Sequence, residues 1–474
     1  MRKSKMRYII LKLMCLYLVS FLLSSCKTSS DYQKPDISDI TPSEWHWKIA
    51  EPKDTLPKGE WWNIFNDPIL NELEKQAVAD NQTLRAAVAR VDQARAIARL
   101  NQSQFFPTLS LDPSYKQERT SGNLPTPIPV DVPSAHLTTY SMPLDLSYEI
   151  DLWGRVRRSF ESKKAQAEAS VSDYQNTLLI LTTDIASNYF LILSLDWELT
   201  QLQRTVDLYK KSLSILNEFF LSGSIAEIDV IQAKTKLTNS QIELSELTRQ
   251  RTEVLHTLAL LCGKPASSFE IIKQTTISPL PNIPAGLPSS LLERRPDIAR
   301  AEKMLEAKHA QMSAVHTEYF PIIRLTGQAG YLSTTLDEMF SNDSQIGSIG
   351  PSINLPLFTA GRTKARVQEA QANYGEALAI YRQTILTAFK EVEDALAQIM
   401  LSNEQLLAQT EVQQSTMRNA ELAQARYETG SINFLEQADV EQNRIWQERR
   451  NIQIHTQCLI AHIHLIKALG GGWK

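Results

Sequence analysis

Cysteine is scarce, with four in 474 residues, so no disulfide scaffold holds this chain together. Basic excess is absent: 49 Lys and Arg face 53 Asp and Glu, a net charge of −4, which gives no footing for nucleic-acid binding. Glycine is low at 16. Proline is missing from whole regions: none lies between Pro143 and Pro265, and none follows Pro356. Stretches that long without helix breakers read as long helices. Apolar residues at 43% and charged residues at 22% exclude a wholly disordered chain.

The first residues read as a leader. Arg2, Lys3, Lys5, Arg7 and Lys12 precede an apolar core, Leu13 to Leu23, that is too short to span a bilayer. Leu23-Ser24-Ser25-Cys26 then resembles a bacterial lipoprotein cleavage site. That resemblance implies residues 1–25 as a signal peptide and a covalent lipid on Cys26, the new N-terminus. Removing five cations leaves a mature charge of −9. No later stretch is expected to be a transmembrane helix, because the most apolar one, 178–195, contains Asp184 and Asn188. Any other crossing must be a β-barrel.

The few glycines are spaced in a pattern. Gly154 to Gly223 is 69 positions, as is Gly361 to Gly430; Gly223 to Gly263 is 40, as is Gly430 to Gly470. One offset of 207 relates the two sets, and neighbours agree: Gly154-Arg155 with Gly361-Arg362, and Gly223-Ser224-Ile225 with Gly430-Ser431-Ile432. The chain is therefore an internal duplication. Each half reads as a first helix (Ile69 to Phe105; Asp297 to Tyr319), two strands, a helix of about 68 residues, a Gly-Ser turn and a helix of about 38 residues. At ~1.5 Å per residue the longest helix reaches about 100 Å, so it needs neighbours along its length.

Four segments alternate with period two. In the clearest, Leu144, Leu146, Tyr148 and Ile150 interleave with Asp145, Ser147, Glu149 and Asp151. The strands are expected near 107–119, 137–151, 322–334 and 346–358, with an exposed hairpin loop over 120–135. One apolar face suits a strand between lipid and a wet lumen; a small soluble sheet gives the same pattern. Four strands cannot close a membrane barrel, for which about eight is the minimum, so a spanning protein must assemble from several copies.

Five stretches together resemble the TolC-like outer-membrane efflux family, in its lipoprotein (NodT-type) branch. They are Cys26 with Tyr32 and Pro35; Trp61-Trp62-Asn63-Ile64-Phe65 with Asp67-Pro68 and Leu70; Tyr148 to Arg155; Leu292 to Ile298; and Gly470 to Trp473. Repeat one departs at Leu261-Cys262-Gly263, which carries a single glycine. The resemblance implies a mainly α fold with a membrane β-barrel part: a homotrimer whose twelve-stranded barrel continues as a helical barrel. It divides the chain into an N-terminal equatorial segment (26–68), repeat one (69–263), an equatorial linker (264–296) and repeat two (297–474). It implies an outer-membrane location in a Gram-negative bacterium, anchored by lipid, with a large periplasmic portion. Its partners would be a periplasmic adaptor (membrane fusion) protein and an inner-membrane pump of the RND type.

On this reading the protein is no enzyme but a passive exit duct, and it has no cofactor beyond the Cys26 lipid. The glycine turns, Leu221-Ser222-Gly223-Ser224 and Thr429-Gly430-Ser431, are the expected adaptor-contact tips. Leu435 and Asp439, four apart on one helix face, are the expected gate, by likeness to the family's constriction rings. No metal ligand set is expected: His462 and His464 lie ~200° apart on a helix and read as surface residues. Cys262 and Cys458 lie near the ends of the two closing helices, where buried single residues or a disulfide both fit. Rival readings are a non-conducting lipid-anchored coiled-coil scaffold, an adaptor lipoprotein and a lipoprotein enzyme.

Overall fold

The computed structural model describes residues 32–42, 59–121, 134–273, 279–281 and 294–471. The leader, Cys26 and most of the expected loop over 120–135 lie outside the described residues. In chain order the main elements are α1 (Pro68–Asp80), α2 (Gln82–Gln102), β1 (Thr108–Leu111), β2 (Ser114–Arg119), β3 (His136–Ile150), α3 (Arg155–Leu221) and α4 (Glu227–Leu261). Then follow α5 (Pro296–His316), β4 (Ile322–Ser333), β5 (Gln345–Asn354), α6 (Arg362–Glu428) and α7 (Phe434–Ala468). The two long helices, α3 and α6, each have 67 residues, and the two that follow them each have 35.

Two expectations need correction. The first helix of repeat one is broken at Asn81, whose backbone is extended (ψ 123°). Its side chain explains the break: Oδ1 accepts from Leu84 N at 2.9 Å, capping α2, while Nδ2 donates to Leu261 O at 2.8 Å. The first strand is likewise split by Asp112-Pro113, where proline has no N–H to give to a ladder.

The chain divides into two compact units. The first (residues 1–35, 92–168 and 302–379) holds the sheet. All pairings are antiparallel: β1 and β2 lie end to end along β3, which pairs with β4, which pairs with β5. At the foot of the sheet the Trp153 indole stacks on Phe320 (5.0 Å between centroids) and donates to Pro321 O at 2.8 Å. The N-terminal stretch is strapped to this unit by Lys34 on Glu302 (2.7 Å) and by Tyr32 against His309.

The second unit (36–91, 169–301 and 380–474) holds the helical core, built around Ile185, Tyr189, Phe190, Leu258, Tyr381, Ile385 and Leu396. A short helix, Trp61–Phe65, seals it: Trp61 Nε1 donates to Thr182 Oγ1 (3.1 Å) and Phe65 packs on Phe190. Asp67 caps α1 through Ile69 N and Leu70 N, and accepts the Tyr189 hydroxyl at 2.7 Å. α3 contains one stretch long and apolar enough to cross a bilayer, but 72% of it is buried within the protein. Its apolarity therefore serves the core.

His462 also corrects the sequence reading. It is buried, its Nδ1 lies 2.7 Å from Cys458 O, and burial lowers its pKa. His464 alone is at the surface. Cys262 and Cys458 are free and buried, and burial pushes the Cys262 thiol up to about 12.

Candidate functional site

The sheet is amphipathic in two dimensions. Across the ladder, Leu109 faces Leu146, Leu111 faces Leu144, Tyr148 faces Leu325, and Ile150, Ile323 and Ile353 align. These partners share one face because pleating alternates side chains. The opposite face carries Ser110 beside Asp145, Asp145 beside Gln328 (3.0 Å), Ser147 beside Thr326, and Glu149 beside Arg324. Neither face is covered: Leu109, Leu111, Ile349 and Ile353 are all exposed. Among the described residues, β5 has one neighbour, and so do β1 and β2, so both edges of the sheet are open. Open edges are a liability in water and are not tolerated in lipid unless another chain pairs them, and an uncovered apolar face is unfavourable in water but at home in lipid. Two aromatic pairs sit toward the far end of this face, Tyr115 with Tyr140 and Tyr331 with Phe340.

The two glycine turns share one backbone design. Gly223 and Gly430 both have φ of 74°, which L side chains rarely adopt. Ser224 N donates to Phe219 O and Gly223 N to Phe220 O; Ser431 N donates to Arg426 O and Gly430 N to Tyr427 O. This double bond from a left-handed residue closes a helix end. Ser222 and Ser224 hydroxyls meet at 2.8 Å, and Thr429 and Ser431 hydroxyls at 3.0 Å. Leu221 is exposed at the first turn. Space around Gly430 is open, so Gly430→Ala should lose only the backbone strain, about 1 kcal/mol, read as a lower melting midpoint with unchanged helix content.

Leu435 and Asp439 lie on α7 just past the second turn. Half-buried Leu435 and exposed Asp439 line an open cavity of ≈190 Å³ with Tyr209, Ser212, Leu216 and Lys236. Asp439 is engaged: Lys236 Nζ on α4 lies 2.9 Å from its Oδ1, with side chains 51% and 61% exposed. This contact raises the Lys236 pKa, and the Lys236 ammonium also lies 6.0 Å from the Tyr209 ring centre. A second tie joins α3 to α7, where Lys211 Nζ sits 5.1 Å from the Phe434 ring centre. Lys236 and Lys211 carry no sequence signal for these roles. Lys236 is 203 positions from Asp439, off the repeat offset, so only folding pairs them.

Comparison with known proteins agrees with this architecture. The chain is 31% identical to the solvent efflux pump outer membrane protein SrpC of Pseudomonas putida, over 96% of this chain and 97% of that one. It is 30% identical to the pyoverdine export outer membrane protein OpmQ of Pseudomonas aeruginosa, over 91% of each. Among solved structures, the outer-membrane channel OprN superposes with a TM-score of 0.83 at 28% identity, covering 94% of this chain and all of that one. The Campylobacter jejuni CmeC outer membrane channel gives 0.85 at 25% identity, covering 95% and 96%. Residues 73–264 and 287–471 match the family described as outer membrane efflux protein, one match on each copy of the duplication. The chain belongs to the outer membrane efflux protein family.

Proposed function

We propose that this chain is the outer-membrane exit duct of a tripartite efflux pump, passively conducting small molecules outward. The observation that carries the reading is the uncovered amphipathic sheet with two open edges. Its apolar face suits lipid and its polar face a wet lumen. Each copy supplies four strand positions, so three copies close a twelve-stranded barrel and satisfy every edge. The trimer, the periplasmic adaptor, the inner-membrane RND-type pump and the lipid on Cys26 belong to the same proposal. The conduit itself performs no catalysis, and the pump supplies energy and chooses the cargo.

The gate is read at Leu435 and Asp439, with the first-repeat helices holding α7 in the shut position. An exposed ion pair such as Lys236–Asp439 contributes ~0.2–1 kcal/mol. An exposed lysine over a buried ring, as at Tyr209 and Phe434, contributes ~0.5–2 kcal/mol. A closure this weak per copy is within reach of a partner that binds the open state a few kcal/mol better, and the glycine turns are where an adaptor would act. Planar-bilayer recording of the full-length protein tests both statements. Wild-type protein should conduct weakly, and Lys236→Ala, Leu435→Ala and Asp439→Ala should each raise single-channel conductance. Unchanged conductance in all three would remove the gate from this place. No conductance in any of the four would remove the duct.

A further inference from the structure

We infer that the foot of the sheet carries a cationic collar that binds the anionic phosphates of the adjoining phospholipid leaflet. The inference rests on the placement of the sheet in a bilayer. Both long helices begin with cations: Arg155, Arg157 and Arg158 on α3, and Arg362, Lys364 and Arg366 on α6. The repeat offset makes Arg157 and Lys364 equivalent, as it does Arg155 and Arg362.

Positive charge in a first turn opposes the helix dipole, so the fold itself gives no reason for these residues. Some are internally matched: Arg155 to Glu149, Arg158 to Glu161, and Arg366 to Glu318. Arg157, Arg362 and Lys364 are exposed, and their side-chain charges have no carboxylate partner among the described residues; the backbone N–H of Arg157 donates to Asp151. Immediately before α6, Leu357 and Phe358 are each 89% exposed. These two residues follow shortly after Ile353, which lies on the apolar face of the sheet opposite Ile323. An apolar band ending in an exposed aromatic and then unmatched cations is the profile of a membrane–water interface. Charge complementarity selects anionic over zwitterionic headgroups as the occupant.

The test uses full-length protein in nanodiscs of phosphatidylethanolamine, with or without added phosphatidylglycerol. Wild-type protein should melt several degrees higher with phosphatidylglycerol at low salt, and high salt should erase that gain. The triple variant Arg157→Gln, Arg362→Gln, Lys364→Gln should show no gain. The charge-keeping variant Arg157→Lys, Arg362→Lys should keep it, which separates charge from side-chain packing. A gain undiminished in the triple variant, or no gain in wild type, overturns the proposal. So does a triple variant whose ion selectivity changes while its lipid response does not, since the charges would then line the lumen. Planar-bilayer conductance of wild type is read in parallel. Conductance without a lipid response sinks the collar alone; absence of conductance sinks the duct.

Discussion

Replacing Arg251 with methionine is expected to destabilise the helical unit by ~3–5 kcal/mol. Arg251 on α4 grips Asp196 on α3 through Nε on Oδ1 and through a second nitrogen on Oδ2 at 3.2 Å. Only 1% of the Asp196 side chain is exposed, and 13% of Arg251. Without the guanidinium, a carboxylate stays in a site that water cannot reach, next to a core of Leu195, Leu199, Leu202 and Leu247. The loss measured is therefore mainly the penalty of an orphaned charge. A second variant separates this from simple loss of packing. Arg251→Met with Asp196→Leu removes both charges and should recover most of the stability, because well-packed apolar replacements of buried pairs are often neutral or better. Thermal unfolding of the two variants checks the claim. Equal losses in the single and double variants would show that packing, and not the stranded charge, sets the value.

Glu74 yields the opposite kind of result: removing it should stabilise the protein. Its side chain is fully buried on α1, and both carboxyl oxygens lack a hydrogen-bond partner. Burial alone raises its pKa well above the ordinary 4.5. Cys262, within electrostatic reach of Glu74 and with its Sγ 3.9 Å from Leu73 O on α1, keeps its proton as well. The sign follows from linkage. A carboxyl whose native pKa is raised holds a proton that the unfolded chain has already released, so stability falls as pH rises above about 4.5 and levels off past the native value. Glu74→Gln should abolish that decline. Glu74→Leu should add ~1–3 kcal/mol at neutral pH by removing the unmatched oxygens. Melting curves from mildly acid to mildly alkaline pH measure both. A wild-type curve parallel to that of Glu74→Gln would mean that water reaches the carboxyl in the native state.

The sequence exposed more of the architecture than of the site. Six glycines at one offset announced the duplication, and each of them has the positive φ that favours glycine at a helix end. Within stretches free of proline, Gly154, Gly223, Gly361 and Gly430 bracketed both 67-residue helices to within two residues of Arg155–Leu221 and Arg362–Glu428. Alternation with period two assigned every strand to a face, because pleating is a local rule that needs no knowledge of the partner strand. The break at Asn81 was hidden because a helix-compatible run is interrupted by one side chain reaching Leu261, 180 positions away. His462 looked like a surface residue because helical spacing tells which residues share a face but not which face is buried.

What the sequence determined by itself is what depends on near neighbours: where the backbone turns, which stretches are helix or strand, and which strand face repels water. Tertiary structure alone decided which charges meet. Asp439 was visible as a charge near a turn, but its lysine stands on another helix 203 positions away. Asp196, Arg251 and Glu74 sit in sequence patterns that look like ordinary polar helix positions. Their energies come from the exclusion of water, and water is excluded only when α1, α3 and α4, far apart in sequence, pack together around them.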